Sequence, residues 1–459
     1  MVLSGILTHH PKDIPERLRS GGFKIAVVGY GGSETPLAYA YGRIGAHVSI
    51  VDIDVCSTEM FIKMIAGSRY ALAISRLVRS GGLRIASNRI EAIAEADIID
   101  IFAPVALSGL GRPDYSILHR LSEEVGRGLS EGKLVISSTI TPPGITEDVI
   151  ADVLEKSSGL KAGYNFGLAY SPYEPLQVEK SDSTIKILAA TDKRSLDIAE
   201  AIVDTVYGCR ILKVDGIRCA EAIKLFDIAS KYILYAFTYE LLRVCDKIGL
   251  DRSSLNYTME SIYPYLYQLL PVWMHFSDNA KLLMDLCETY KLKPRILYAA
   301  LKVGEDIPGI YISMIREAAK RIDKPLRRCR VSLIGLPGKA CIGYSVDNPL
   351  LTILASRLRR MGVSVKIFDP YGSGGGLDKL GVKVSRRIEE CLEDTDIILI
   401  LPESRSMKTA ITRKLGIAKA LTQTTPVIID LAGVIDRIEA SKLGFIYLGL
   451  DGAPSWEIG

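Results

Sequence analysis

A glycine-rich turn, Gly29-Tyr30-Gly31-Gly32-Ser33-Glu34, follows the apolar run Lys24 to Gly29 and precedes a helical pattern from Pro36. An acid, Asp52, ends the next apolar run. Strand, glycine turn, helix and an acidic end to the following strand form an arrangement that binds a dinucleotide. Gly29 would make the tight turn, and Gly31 would let a pyrophosphate approach the backbone at the helix N-terminus. Asp52 would accept hydrogen bonds from the adenosine ribose hydroxyls, which favours NAD over NADP. The third glycine of the pattern is replaced by Glu34. A carboxylate in the first helical turn suits the helix dipole but competes with a phosphate diester for the same amides. Glu34 therefore either turns outward and leaves the site to NAD, or occupies the anion site and blocks it.

Other reactive side chains are scattered. The eight cysteines contain no CxxC pair and the five histidines do not cluster with them, so no metal site is expected. Buried free thiols are the plain reading. His275 has the character of a base but stands among Trp273, Met274 and Phe276, where a packed histidine is the commoner case. A net charge of +4 over 459 residues gives no electrostatic ground for a nucleic-acid partner. The basic stretch Arg316 to Arg330 reads as a solvated helix end and linker. No run approaches the ~20 apolar residues of a membrane span, and the opening residues mix His, Pro and charge without an apolar h-region. The expectation is a cytoplasmic protein with no membrane partner.

The elements that must position these residues alternate. Lys24 to Gly29, His47 to Asp52, Ile98 to Pro104 and Leu134 to Thr139 are nearly continuous Val/Ile runs, as parallel strands buried on both faces should be. Helical segments at Pro36 to Ile44 and Tyr115 to Leu129 supply crossovers, and further strands are expected at Leu168 to Ser171, Thr184 to Ala190 and Arg210 to Val214. From Ile217 to Gly249 no Gly or Pro interrupts a helical pattern, which predicts one long helix. More helical pattern follows at Leu282 to Tyr290 and Gly309 to Ala319. A second series then begins, with strands at Val331 to Leu336, Val365 to Asp369, Asp396 to Leu401 and Val427 to Leu431, and a crossover helix at Asn348 to Met361. The fold class is α/β: two Rossmann-like doubly wound domains joined by a long central helix and helical connector.

Several segments, in order, resemble the UDP-glucose/GDP-mannose dehydrogenases, the nucleotide-sugar 6-dehydrogenase family that includes UDP-N-acetylmannosamine dehydrogenases. They are the opening from Lys24 to Asp54, Phe102-Ala103-Pro104, Ser138 to Val149, Gly159 to Pro172, Ala220 to Leu225, Gly362 to Gly372 and Val427 to Asp436. The resemblance implies an N-terminal NAD-binding-type domain over 1–214. It also implies a central helical domain over 215–325 that pairs two copies of the chain, and a C-terminal UDP-sugar-binding-type domain over 326–459. The implied activity is oxidation of the C6 hydroxyl of a UDP-linked hexose to the uronic acid, with NAD taking two hydrides and a cysteine holding the intermediate aldehyde.

Carried over residue by residue, the resemblance makes Lys224 the oxyanion-stabilising lysine, although a helix lysine otherwise faces solvent. Thr139 becomes the hydroxyl that orients a catalytic water, Pro104 the strand end facing the nicotinamide, and Lys339 the retained lysine of the nucleotide domain. Elsewhere this chain departs. The family asparagine falls on Ile228, the carboxylate on Tyr173 with Glu174 one place on, and the nucleophilic cysteine near His275, with Cys287 a dozen residues later. The paired acids and arginine of the C-terminal domain become Gly343, Tyr344 and Val346. Without the thiol the second oxidation loses its known route. The alternative is therefore a catalytically silent relative that binds a nucleotide or nucleotide sugar, or a structural subunit beside an active paralogue.

Overall fold

The computed structural model describes residues 5–55, 57–65, 70–109, 111–173, 185–248, 276–335, 349–368, 380–401, 411–416, 425–431 and 434–449. Among these, the chain divides into two compact units. The first holds the residues up to Ile228 together with Asp278–Lys293, and the second is built from Ala229 onward and from Pro294 onward.

The first unit carries β1 (Lys24–Gly29), β2 (His47–Asp52), β3 (Leu83–Ile85), β4 (Ile98–Phe102), the short hairpin β5 (Ala106–Leu107) and β6 (Pro113–Asp114), β7 (Leu134–Ser137), β8 (Gly167–Tyr170), β9 (Ile185–Ala190) and β10 (Arg210–Lys213). Eight of them form one sheet in the order β10-β9-β8-β7-β4-β1-β2-β3. Every pairing in it is parallel except β8 with β9. The uninterrupted Val/Ile runs follow from this architecture, because both faces are covered. Ile25 and Val27 enter a core with Leu37 and Tyr41, while Ala26 and Val28 enter the opposite one with Ile93, Leu121 and Val125. Alternate side chains of one strand point to opposite faces.

Helix ends are set by local chemistry. The helix Lys193–Tyr207 starts where the Asp192 side chain accepts from Ser195 N–H at 2.9 Å, and it stops at Gly208, whose φ of 55° is left-handed, the usual glycine termination. The helix α1 (Thr35–Gly42) follows the glycine turn after β1. The long helix α2 (Ile217–Ile248) runs for 32 residues, as the absence of Gly and Pro requires, and the division between units falls within it after Ile228. Two further helices are α3 (Phe276–Thr289) and α4 (Arg295–Arg321).

The second unit holds β11 (Arg330–Ile334), β12 (Ser364–Phe368), β13 (Lys383–Ser385), β14 (Ile397–Ile400), β15 (Val427–Asp430) and β16 (Ile446–Gly449). They form an all-parallel sheet in the order β13-β12-β11-β14-β15-β16. One face packs on α4 through Tyr311, Ile312 and Ile315. Three features differ from the sequence expectation. The strand β9 runs antiparallel to β8, and β3, β13 and β16 are additional short strands. The helical pattern from Gly309 belongs to a helix that begins at Arg295 and continues through Pro308. Among the described residues no helix is long and apolar enough to cross a membrane.

Gly128, at the end of the helix Ser116–Gly128, packs against the helix Arg89–Glu95. A Cβ there would lie 2.8 Å from the Ile90 carbonyl oxygen and 2.8 Å from Ile93 Cγ2. Gly128→Ala is expected to destabilise the first unit by about 1–3 kcal/mol through overpacking, read as a lowered melting temperature. An unchanged melt would show that these helices separate freely.

Candidate functional site

In the first sheet the strand order reverses between β1 and β4, and a crevice at the carboxyl ends of such strands is where α/β sheets bind ligands. The residues at that end are Gly29 to Glu34 after β1, Asp52 closing β2, Phe102 to Pro104 after β4, and Ser137 to Thr139 after β7.

The glycine turn folds on itself. Gly31 and Gly32 have φ of 61° and 80°, conformations that exclude most side chains. Ser33 N–H donates to the Tyr30 carbonyl at 3.2 Å and Thr35 N–H to the Gly32 carbonyl at 3.1 Å. Gly32 N–H donates to Asp52 Oδ2 at 2.8 Å, and Pro36 has no N–H to offer. Helix α1 consequently starts at Thr35, after the glycines rather than among them. Asp52 is fully buried, and its other oxygen accepts from Asp54 N–H at 2.8 Å and Val55 N–H at 3.1 Å. Burial still outweighs those amides and raises its pKa.

Glu34 turns inward. It is fully buried, and neither carboxyl oxygen makes a hydrogen bond of good geometry. Its pKa is held well above the usual carboxylate range, first by burial and next by the neighbouring Asp52 carboxylate. Two buried carboxyls side by side cannot both ionise, so the pair retains a proton. With Glu34 there, the Asp52 carboxylate is sealed, Gly32 N–H is taken, and an acid stands beside Gly29.

The next cluster joins β7 to α2. Glu221, on the first turns of α2, is fully buried and accepts from Gly144 N–H at 2.6 Å, Thr146 N–H at 2.8 Å and the Thr141 hydroxyl at 3.0 Å. Outside this clasp, Arg218 pairs with Glu147 at 3.1 Å and Asp148 at 2.6 Å. The clasp fixes the helix that bears Lys224. That lysine is buried rather than solvent-facing, with Nζ 3.2 Å from Asp227 Oδ2. Thr139 is buried at the end of β7, where its hydroxyl accepts from Ala103 N–H at 3.1 Å and ties the ends of β4 and β7 together. Pro104 lies half-buried next to that bond.

Two of the positions where the sequence reading expected a departure have a definite environment. Ile228 is fully buried in α2. Tyr173 is also fully buried, edge-on to Phe102 with centroids 5.4 Å apart. Beneath it Lys186 donates to the Pro172 carbonyl at 3.1 Å, with its ammonium 5.2 Å from the Tyr173 ring centroid and 4.2 Å from that of Tyr207. Burial brings the Lys186 pKa down to about 8. Asp100, in the middle of β4, accepts from the Tyr41 hydroxyl at 2.8 Å, and burial pushes its pKa up to about 7 against the pull of Ser138, Tyr41 and Lys186. Sequence reading passed over Glu221, Lys186 and Asp100. For the last two the signal was a charge inside an otherwise apolar strand. Glu221 gave none, since its partners lie 75–80 positions away. Glu174, His275, Lys339, Gly343, Tyr344 and Val346 lie outside the described residues. Cys287 sits half-buried in α3. Among the described residues no group of His, Cys, Asp and Glu side chains converges as metal ligands.

Comparison with known proteins agrees with this architecture. Residues 23–192 match the NAD binding domain of the UDP-glucose/GDP-mannose dehydrogenase family. The UDP-N-acetyl-D-glucosamine 6-dehydrogenase of Pseudomonas aeruginosa is 24% identical over 361 residues, covering 76% of this chain and 83% of that protein. The UDP-N-acetyl-D-mannosamine dehydrogenase of Pyrococcus horikoshii is 22% identical over 441 residues, covering 93% and 99%. The structure of a UDP-glucose dehydrogenase from Pyrobaculum islandicum superposes with a TM-score of 0.71 at 19% identity, covering 94% of this chain and 98% of that one. That likeness establishes a shared fold.

Two outcomes are expected. Between the ordinary carboxylate pKa of about 4 and about 7, unfolded chains have released the Asp100 proton while folded chains keep it. Its contribution to stability therefore falls as pH rises through that window. Asp100→Asn should make the melting temperature less dependent on pH between those values, and an unaltered slope would contradict the assignment. Glu221→Ala leaves the Gly144 and Thr146 amides without their acceptor and should cost on the order of 3 kcal/mol. Faster amide exchange at both positions would accompany it, and native-like protection there would show that the clasp is dispensable.

Proposed function

We propose that this chain, a member of the UDP-glucose/GDP-mannose dehydrogenase family, is an NAD-dependent nucleotide-sugar dehydrogenase acting on the C6 hydroxyl of a UDP-linked hexose. The observation that carries this reading is the Glu221 clasp. It holds Lys224 on a helix locked to the loop after β7, next to the strand ends where the family fold takes its ligands. A buried ammonium so held stabilises negative charge as the C6 hydroxyl gives up its proton. Thr139 keeps the β4 and β7 ends in register. In this reading the N-terminal unit is the NAD domain and the C-terminal unit the nucleotide-sugar domain.

A second reading is favoured by Ile228, Tyr173 and Glu34, which bring an alkyl group, a phenol and an inward acid to positions where the family resemblance implies an amide, a carboxylate and a glycine. In it the chain binds a nucleotide sugar without turning it over. Either reading pairs two copies through α2. Its Phe226, Phe237, Val244 and Ile248 are exposed and recur at spacings that keep them on one helical face.

With UDP-hexoses and NAD, the protein should reduce NAD, followed by absorbance. Lys224→Ala should lower kcat about 100-fold with little change in KM. Normal turnover in that variant would remove the role assigned to Lys224. Saturable binding of a UDP-sugar with no NAD reduction would establish the second reading.

A further inference from the structure

The turn between β1 and α1 commits several of its amides without a ligand. Of the amides that would meet a diphosphate, that of Gly32 is committed to Asp52, and those of Ser33 and Thr35 are committed within the turn. The Asp52 carboxylate, which would hold a ribose, accepts from three backbone amides and is sealed from solvent. What seals the site is the side chain next to it. A Cβ placed on Gly29 would collide with Glu34 Oε2 and lie 2.6 Å from Glu34 Cβ. The space that a fingerprint glycine leaves free for close approach of a diphosphate is thus already filled by the Glu34 carboxyl. Both of its oxygens are buried without a hydrogen bond of good geometry. Such an arrangement is costly for a group with only a structural role.

We propose that Glu34 is an internal plug of the dinucleotide site: its carboxyl fills the space between Gly29 and Asp52 that the cofactor's ribose and diphosphate require, and NAD enters only when that side chain withdraws. This rests on the NAD-dependent reading above and deepens it by naming the residue that sets cofactor affinity. Withdrawal breaks the contact with Asp52, frees that carboxylate for a diol, and moves a negative charge away from the approaching phosphates. The apparent affinity of the chain is its intrinsic affinity reduced by the fraction of molecules with the plug out. If that fraction is about 1–10%, removing the plug tightens binding about 10- to 100-fold.

Calorimetric titration of the full chain with NAD tests this in the native protein, Glu34→Gly, Glu34→Ala and Glu34→Gln. The first restores the glycine of the fingerprint. The second also clears the space and suits the φ of −75° at this position. The third keeps the bulk and a donor for Asp52. Melting curves identify the variants that fold. The proposal expects the glycine or alanine variant to bind NAD at least about ten-fold more tightly than the native chain, and the glutamine variant to bind no better than native. Equal affinity in the native and small-residue variants would overturn the plug while leaving NAD binding intact. No binding by any folded variant at millimolar NAD would overturn both the plug and the cofactor reading. Tight binding by the glutamine variant would show that bulk at this position does not exclude the cofactor, and the proposal would fall.

Discussion

The first unit is organised around a buried carboxylate at the end of β2. Asp52 has no solvent contact and takes its stabilisation from the amides of Gly32, Asp54 and Val55. Those bonds fix the conformation of the glycine turn, delay the start of α1 to Thr35, and direct the Glu34 side chain into the gap beside Gly29. A second carboxyl in that gap is tolerable only in its neutral form, because Asp52 already carries the charge that the amides favour. The arrangement commits the Asp52 carboxylate and the Gly32 amide to each other, and these are groups that a dinucleotide would need.

A second constraint acts at the other side of the crevice. Glu221 makes no use of its charge for ion pairing; it caps a loop whose backbone amides would otherwise be buried without partners,. In doing so it sets the position of α2 and therefore of Lys224, one turn further along. The neighbouring interior is unusually ionic for a sheet core, with Asp100 below one part and Lys186 enclosed by Tyr173 and Tyr207. Tyr173 closes over that lysine, with its ring centroid 5.2 Å from the buried ammonium.

Much of this fold was legible in the sequence, for physical reasons. Strands such as Lys24–Gly29 and Ile397–Ile400 are buried on both faces and read as continuous apolar runs, and α2 has no residue that could end it before Gly249. The short strands β3, β13 and β16 carry too few residues to establish a period. Strand direction was invisible because burial on both faces looks the same either way, so the reversal of β9 went unread. The helix α4 passes through Pro308, where tertiary packing of Ile307 and Tyr311 overrides a local breaker. At the site, the residue types were readable and their orientation was not. Glu34 had two options on sequence alone, and only the room beside Gly29 distinguishes them. Lys224 would be a solvated lysine on any isolated helix, and it is buried because Glu221 pulls its helix against the β7 loop.

The most direct measurement is a crystal structure of the native chain grown with NAD and a UDP-hexose at millimolar concentration. The account predicts that wherever dinucleotide density occupies the β1–α1 turn, the Glu34 side chain has left Gly29 and the Asp52 carboxylate faces a ribose. A dinucleotide seated in that turn with Glu34 still against Gly29 and Asp52 still sealed would contradict it.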